Sequence, residues 1–262
     1  MAVTVDETRG RVERSGSDWT PPVLQPRRGL AERLGVRVGE GHPTLVFLGA
    51  MLAALALIST VSIALGFLVT RMILHVGGIG GWDEHVNVWL AAHRTAFRTH
   101  LSLIGSIAAG GVVLPIVVGV TALVCAAFRK WRVAAFVVFV LAVESASYRL
   151  TTLAVHRHRP RVPRLENLPV NASYPSGHTA ASIAVYGGLA LLVSSLVKNR
   201  AVRAAAWSLA VFFVALDIYS RLYRGMHHPI DVAGGVVVGV AAVCLLVLVS
   251  RASGAAAGEG GA

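Results

Sequence analysis

The sequence predicts an all-α fold: a bundle of six transmembrane helices with a short interfacial helix between the first and second spans. Three observations carry this. Hydrophobic residues make up 55% of the 262 positions and charged residues only 14%, the balance of a chain largely surrounded by lipid. The apolar residues gather in six runs, each near or above the roughly 20 residues that a spanning helix needs. The 24 Lys and Arg, against 13 Asp and Glu, lie at the ends of those runs, where basic residues mark membrane orientation.

The elements follow in order. Residues 1–43 are polar and rich in Gly, Pro and Arg, and are expected to form a disordered cytoplasmic tail with a short helix near 28–36. No short apolar core with a cleavage site opens the chain, so no signal peptide is read. The six-span domain is expected over 44–251, with spans near 44–74, 101–128, 133–155, 178–197, 201–219 and 230–250, and a short cytoplasmic tail over 252–262. These runs are apolar on every face, which argues against a soluble bundle, and at this length only helices satisfy their backbone in lipid. Between the first two spans, Trp82, Val86, Trp89 and Leu90 recur at helical spacing with charges between them. That pattern suits a helix lying in the membrane interface or packing over the bundle. Cys125 and Cys244 sit inside apolar runs and imply neither a disulfide framework nor a thiolate zinc site.

Orientation comes from the basic residues. With six spans both ends share one side. The tail carries seven arginines, RKWR (129–132) and KNRAVR (198–203) carry three basic residues each, and Arg251 follows the last span. The opposite side holds fewer, and most of those cluster in VHRHRPRVPR (155–164) and SRLYR (220–224). The termini are therefore expected in the cytoplasm and the arginine-rich stretches outside. Because the arginines mark helix ends rather than one amphipathic face, a nucleic-acid partner is not expected.

Three stretches meet the membrane on that outer face: VHRHRPRVPR, SYPSGHTAAS (173–182) and SRLYRGMHHPIDV (220–232). They bring Arg157, Arg159, His178, Arg221, His227 and Asp231 to one level. Clustered arginines there imply a polyanionic ligand, most simply phosphate. Ser176, Gly177 and His178 begin a helix, where free N–H groups and the dipole favour an anion, and Gly177 allows close backbone approach. His227 and Asp231 lie four apart as the sixth span starts, with Pro229 suited to its first turn. The spacing lets the carboxylate bond one ring nitrogen and leave the other free as a nucleophile. His178 is then placed to serve as acid and base.

Arg159-Pro160, Pro175-Ser176-Gly177-His178 and Ser220-Arg221 with His227 and Asp231, in this order, resemble the blocks of the type 2 phosphatidic acid phosphatase superfamily. The resemblance covers about 44–250 and includes the six-span layout. It implies a metal-independent lipid phosphatase with no cofactor. His227 would attack phosphorus to form a phosphohistidine and Asp231 would orient its ring. His178 would protonate the leaving oxygen and then activate water. Arg159, Arg221, Ser176 and Gly177 would hold the phosphate oxygens. The substrate class is phosphatidate, phosphatidylglycerophosphate or an isoprenyl phosphate or diphosphate. Two other functions stay open: transfer of the phosphoryl group to an alcohol, and a weakened protein that only binds lipid phosphates. A transporter is disfavoured, because the polar residues gather at one face rather than near the midplane. Nothing in the sequence specifies the oligomeric state.

One position departs from the family's pattern. A lysine normally stands seven residues before the first-block arginine, where this chain has Thr152. Arg149, one turn deeper, is expected either to snorkel outward and replace that cation or to pair with an intramembrane acid such as Glu144. Asp217, four residues before Arg221, is expected to hold its guanidinium or to pair between helices. His156, His158 and His228 read as interfacial, and Arg161, Arg164 and Arg224 as sites for anionic substrates or headgroups.

The orientation is testable. In a background lacking Cys125 and Cys244, Arg164→Cys should react with an impermeant thiol reagent in intact cells and Lys198→Cys should not; the reverse pattern would invert the topology.

Overall fold

The computed structural model describes residues 20–39 and 41–258. Among them there is no β-strand. The elements are α1 (Leu30–Gly39), α2 (Pro43–Arg71), a short 3₁₀ turn (Ile73–His75), α3 (Ile79–Ala92), α4 (Ala96–Ala108), α5 (Val113–Ala127), α6 (Trp131–Ala154), α7 (Gly177–Ser182), a π-helical turn (Ile183–Gly187), α8 (Gly188–Leu196), α9 (Arg200–Tyr223) and α10 (Pro229–Ala256). Six stretches are long and apolar enough to cross a membrane: Pro43–His75, Ala96–Ala127, Trp131–Ala154, Gly177–Leu196, Arg200–Tyr223 and Pro229–Ala256. The six-span expectation therefore matches, with longer ends.

Local chemistry sets those ends. Pro43 and Pro229 stand in the first turns of α2 and α10, where a missing N–H costs nothing. Thr95 caps α4 by accepting from the Arg98 amide, and Asn199 caps α9 by accepting from Ala201 at 2.8 Å. The second span is not one helix as expected. It breaks over Ala109–Val112, where Gly110 and Gly111 interrupt the apolar run. A helix end inside a bilayer needs partners for its freed carbonyls. Tyr186 supplies one by donating to the Ala108 carbonyl at 2.6 Å. Tyr186 belongs to the π-helical turn of the fourth span, so two irregularities meet there.

Helix α10 is the axis of the bundle and packs against α1, α2, α6 and α7. The main core joins Ile58 of α2, Phe136 and Val140 of α6, Ala180 and Ala184 of the fourth span, and Ala242 and Leu246 of α10. Small residues let α10 approach α7 closely: a Cβ added at Gly235 would stand 2.5 Å from the Ser176 carbonyl oxygen. Outward-facing positions such as Leu123, Phe128 and Leu153 are apolar and exposed, as lipid-facing positions should be.

Two boundaries need correction. The expected tail over 1–43 is built into the fold from residue 20 on. Leu24 is fully buried in the main core, Arg251 donates to the Val23 carbonyl, and α1 packs on α10. Apolar burial outweighs the polar composition of that stretch. Residues 1–19 lie outside the described residues. The tail expected over 252–262 begins as helix: Ala252, Ala255 and Ala256 extend α10 and are buried. Residues 259–262 lie outside the described residues.

The tight contact between α10 and α7 gives a stability test. Gly235→Ala should lower thermal stability in detergent by about 1–3 kcal/mol through overpacking. Gly119→Ala, where an added Cβ meets nothing within 4 Å, should leave it unchanged or raise it slightly.

Candidate active site

One end of the bundle is roofed by α3 and by the loop over 155–176 that joins α6 to α7. The expected residues from all three blocks meet beneath them.

His227 is 2% exposed. It sits one residue before the His228 that caps α10, in a turn held by the Asn87 side chain, whose amide donates to the carbonyls of Leu222 and His227 at 3.0 and 2.9 Å. Its ring partners fix the tautomer. Nδ1 faces the Ser173 carbonyl at 2.7 Å, which only accepts, so Nδ1 carries the proton. Nε2 lies 3.3 Å from Arg159 Nη1, which only donates, so Nε2 presents its lone pair. Burial first, then the Arg159 charge with Arg221 adding, pushes the imidazole well below its ordinary pKa; Asp231 and the Ser173 carbonyl oppose this. The ring is therefore neutral. Proton linkage follows: because the folded pKa is depressed, stability from the neutral ring falls as pH drops from the ordinary imidazole range toward the depressed value.

Asp231 does not bond the His227 ring, as its spacing had suggested. The four-residue spacing applies inside a helix, and His227 precedes α10. Instead Asp231 accepts from Ser173 Oγ at 2.6 Å, from the His228 amide at 2.8 Å, from His228 Nδ1 at 3.1 Å and from Arg157. It acts on His227 through Ser173, whose hydroxyl it fixes and whose carbonyl holds the ring. Arg157 also bonds Asp83 of α3, so one buried guanidinium joins two fully buried carboxylates. Asp83 in turn accepts from the Ile230 amide at 3.0 Å.

Arg159 is held by the carbonyls of Pro169 and Ala172 at 2.8 Å each, and by that of Met226, so its fork is fixed in front of His227. Beside it lies an outer cleft of about 340 Å³ lined by Glu84, Arg157, His158, Arg159, Arg161 and His228, with Leu74 at its edge. His158 and Arg161 thus do line the region, while His228 is tied between Asp231 and Glu84.

Arg221 is fully buried. Asp217 lies beside its Nε, but at 3.6 Å, an ion pair rather than a hydrogen bond. Its terminal nitrogens bond Glu166 of the 155–176 loop at 3.0 and 2.9 Å. Arg224 Nε and Ser106 Oγ also reach Glu166, at 2.5 and 2.7 Å. Burial would raise this carboxyl, but the Arg221 hydrogen bonds and charge, with Ser106 and Arg224, hold it down at about 2. The half-buried ring of His178 makes no hydrogen bond among the described residues and lies within electrostatic reach of Arg221, Glu166 and Arg159.

Ser176 and Gly177 are differently used than expected. The Ser176 hydroxyl bonds Thr179 at 2.9 Å and its amide donates to the Asp231 carbonyl at 2.9 Å. At Gly177 a Cβ would stand 2.9 Å from the Tyr148 ring, so the glycine makes room for packing. Arg149 does not pair with Glu144: it is exposed on α6, and no hydrogen bond or ion pair joins the two side chains among the described residues. Five residues apart on a helix, Glu144 and Arg149 point about 140° away from each other. Glu144 is buried with Ser145 as its partner, and Thr152 turns its hydroxyl back to the Arg149 carbonyl.

Asp83, Asn87, Glu166 and Ser173 were missed from sequence. Asp83 and Asn87 lie one turn apart on one side of α3, away from Trp82 and Trp89, and Glu166 is the lone acid within 155–176.

Comparison with known proteins agrees with this layout. A family model described as the PAP2 superfamily matches residues 131–255. The undecaprenyl-diphosphatase BcrC of Bacillus subtilis (strain 168) is 34% identical over 95 residues, 35% of this chain and 44% of that protein. An undecaprenyl-diphosphatase of Sulfolobus acidocaldarius is 32% identical over 114 residues, 42% of this chain and 51% of that protein. The chain thus spans about half the length of these curated relatives. In fold it is similar to a transmembrane PAP2-type phosphatidylglycerolphosphate phosphatase from Bacillus subtilis, with a TM-score of 0.62 at 23% identity, covering 71% of this chain and 92% of the other.

The geometry separates two arginines. Arg149→Ala should change folding stability by no more than about 0.5 kcal/mol. Arg157→Ala, which leaves two buried carboxylates without their cation, should cost about 3–5 kcal/mol. Denaturation of the purified protein in detergent checks both.

Proposed function

We propose, from the match of residues 131–255 to the PAP2 superfamily model and the likeness to undecaprenyl-diphosphatases, that the chain is an integral-membrane phosphatase of that superfamily acting on a lipid phosphate or diphosphate through a covalent His227 intermediate. The observation that carries this is the neutral His227, with its Nε2 lone pair directed at a fixed arginine fork. In the proposed reaction the phosphate enters between Nε2 and Arg159. Nε2 attacks phosphorus, and the bond from phosphorus to the leaving oxygen breaks. His178, whose ring makes no hydrogen bond among the described residues, is protonated once the bound phosphate's charge offsets the arginines, and it gives that oxygen its proton. It then takes a proton from water, which attacks the phosphohistidine and frees His227. Arg159 and Arg221 balance the negative charge on the phosphoryl oxygens. Ser173 and Asp231 keep the Nδ1–H tautomer, so that Nε2 stays the nucleophile.

The undecaprenyl-diphosphatase relatives favour an isoprenyl diphosphate as the substrate class. A lipid suits the setting: apolar, exposed helix faces border an outer cleft lined by Arg159 and Arg161. A headgroup could reach the histidines while its chains stay in the bilayer. The basic bias of the loops supports cytoplasmic termini and an outward-facing site.

His227→Ala should abolish phosphate release from a detergent-dispersed isoprenyl diphosphate while the protein still binds inorganic phosphate. The wild type, quenched during turnover, should yield an acid-labile, base-stable phosphoprotein. Near-normal turnover by the variant would overturn the mechanism.

A further inference from the structure

The loop that carries Arg159 runs back toward the bundle and delivers one carboxylate to the cluster. Glu166 lies flat against the fork of Arg221, one oxygen to each terminal nitrogen. This is the bidentate geometry in which guanidinium also binds two oxygens of a phosphate. We infer that Glu166 is an internal occupant of the phosphate site, a carboxylate latch that the substrate's phosphate displaces from Arg221 while Arg224 and Ser106 keep hold of it. The inference rests on the proposed phosphatase reading, in which Arg221 binds phosphoryl oxygens.

Three features favour exchange over a permanent pair. The two carboxylate oxygens are unequally held. Oε2 bonds Arg221 alone, whereas Oε1 is shared by Arg221, Arg224 and Ser106. Loss of the Arg221 contacts therefore strips Oε2 but leaves Oε1 with two partners. The backbone on one side is pinned, by Leu165 N donating to the Arg224 carbonyl and Arg224 Nη2 donating to the Leu165 carbonyl, both at 3.1 Å. On the other side Asn167 is exposed, and the chain is next held at the Leu168 and Pro169 carbonyls, by Arg164 and Arg159, so the Glu166 side chain can turn between two held points. Finally, among the described residues Arg221 has only weaker partners besides Glu166: Nη2 donates to Ser220 Oγ at 3.2 Å, and Nε, which makes no hydrogen bond, pairs with Asp217 at 3.6 Å. A fully buried guanidinium left without its carboxylate would be costly. The latch therefore releases when another anion arrives to replace it, and stays shut otherwise. Arg224, at a position that the third block leaves unspecified, is assigned a role as the cation that retains the displaced carboxylate.

The test measures inhibition by inorganic phosphate and by orthovanadate, using full-length protein in detergent and a lipid phosphate substrate. Glu166→Gln keeps the shape and removes the competing charge. Both inhibition constants should fall roughly ten-fold, the scale of a lost charge-assisted contact. Glu166→Asp, with a shorter reach, should lie between. Unchanged or weakened inhibition in Glu166→Gln would overturn the latch and make Glu166 a positioning residue for Arg221. A readout on the wild type covers a variant that fails to fold: saturating vanadate should raise amide hydrogen exchange at Asn167 and Leu168, next to the displaced side chain, and protection there would overturn the inference. Should the wild type neither hydrolyse lipid phosphates nor bind phosphate, the phosphatase reading falls and the latch with it. Hydrolysis with tight anion binding, but no gain in Glu166→Gln, removes the latch alone.

Discussion

The end of the bundle that carries the candidate site depends on one buried cation. Arg157 joins Asp83 of the roofing helix to Asp231 at the start of the central helix, and each carboxylate also receives a backbone amide there, from Ile230 and His228. Burying three charges carries a large desolvation penalty, which only close pairing and full hydrogen bonding offset. Pairing of this kind is rigid, because each partner is costly to leave alone. The rigidity passes along the chain of contacts: Asp231 fixes Ser173, Ser173 fixes His227, and His227 faces Arg159. A single electrostatic knot thus sets the register of α3, the 155–176 loop and α10.

Around the knot the charges divide into two zones. On one side carboxylates neutralise Arg157 and meet both ring nitrogens of His228. On the other, Arg159 and Arg221 lie near the two histidines of the proposed mechanism, and burial first, then the arginine charges, suppresses protonation of His227. Both zones are served by acids from distant segments: Asp83 and Glu84 from α3, and Glu166 from the loop. The basic excess visible in the sequence is therefore partly cancelled locally, and the remaining positive field is confined to the side where an anion would enter.

Much of this was legible in the sequence, for definite reasons. The six spans follow from apolar run lengths, which lipid enforces with little ambiguity. The three motif blocks lie at span ends on one side, so the topology alone brings them together. What the sequence could not supply were pairings that depend on how a loop folds back. Nothing local marks Glu166 as the partner of Arg221, 55 residues away. The direct bond inferred between Asp231 and His227 failed because a helical spacing rule was applied across a helix cap. The glycine break in the second span was hidden by hydrophobicity that continues on both sides of it. The 20–39 stretch looked solvent-bound because its polar residues outnumber the few, such as Leu24, that anchor it.

Helix α3 is built inside out. Its polar residues Asp83 and Asn87 are buried, while Trp82 and Trp89 are more than half exposed on the opposite face. Indole rings at such a level sit well among lipid headgroups. A helix so arranged, set at the membrane surface, would rest on the headgroups on one side and on the buried ion pairs on the other. The surrounding lipid would then act on the spacing between α3 and α10 as part of the scaffold as well as its solvent.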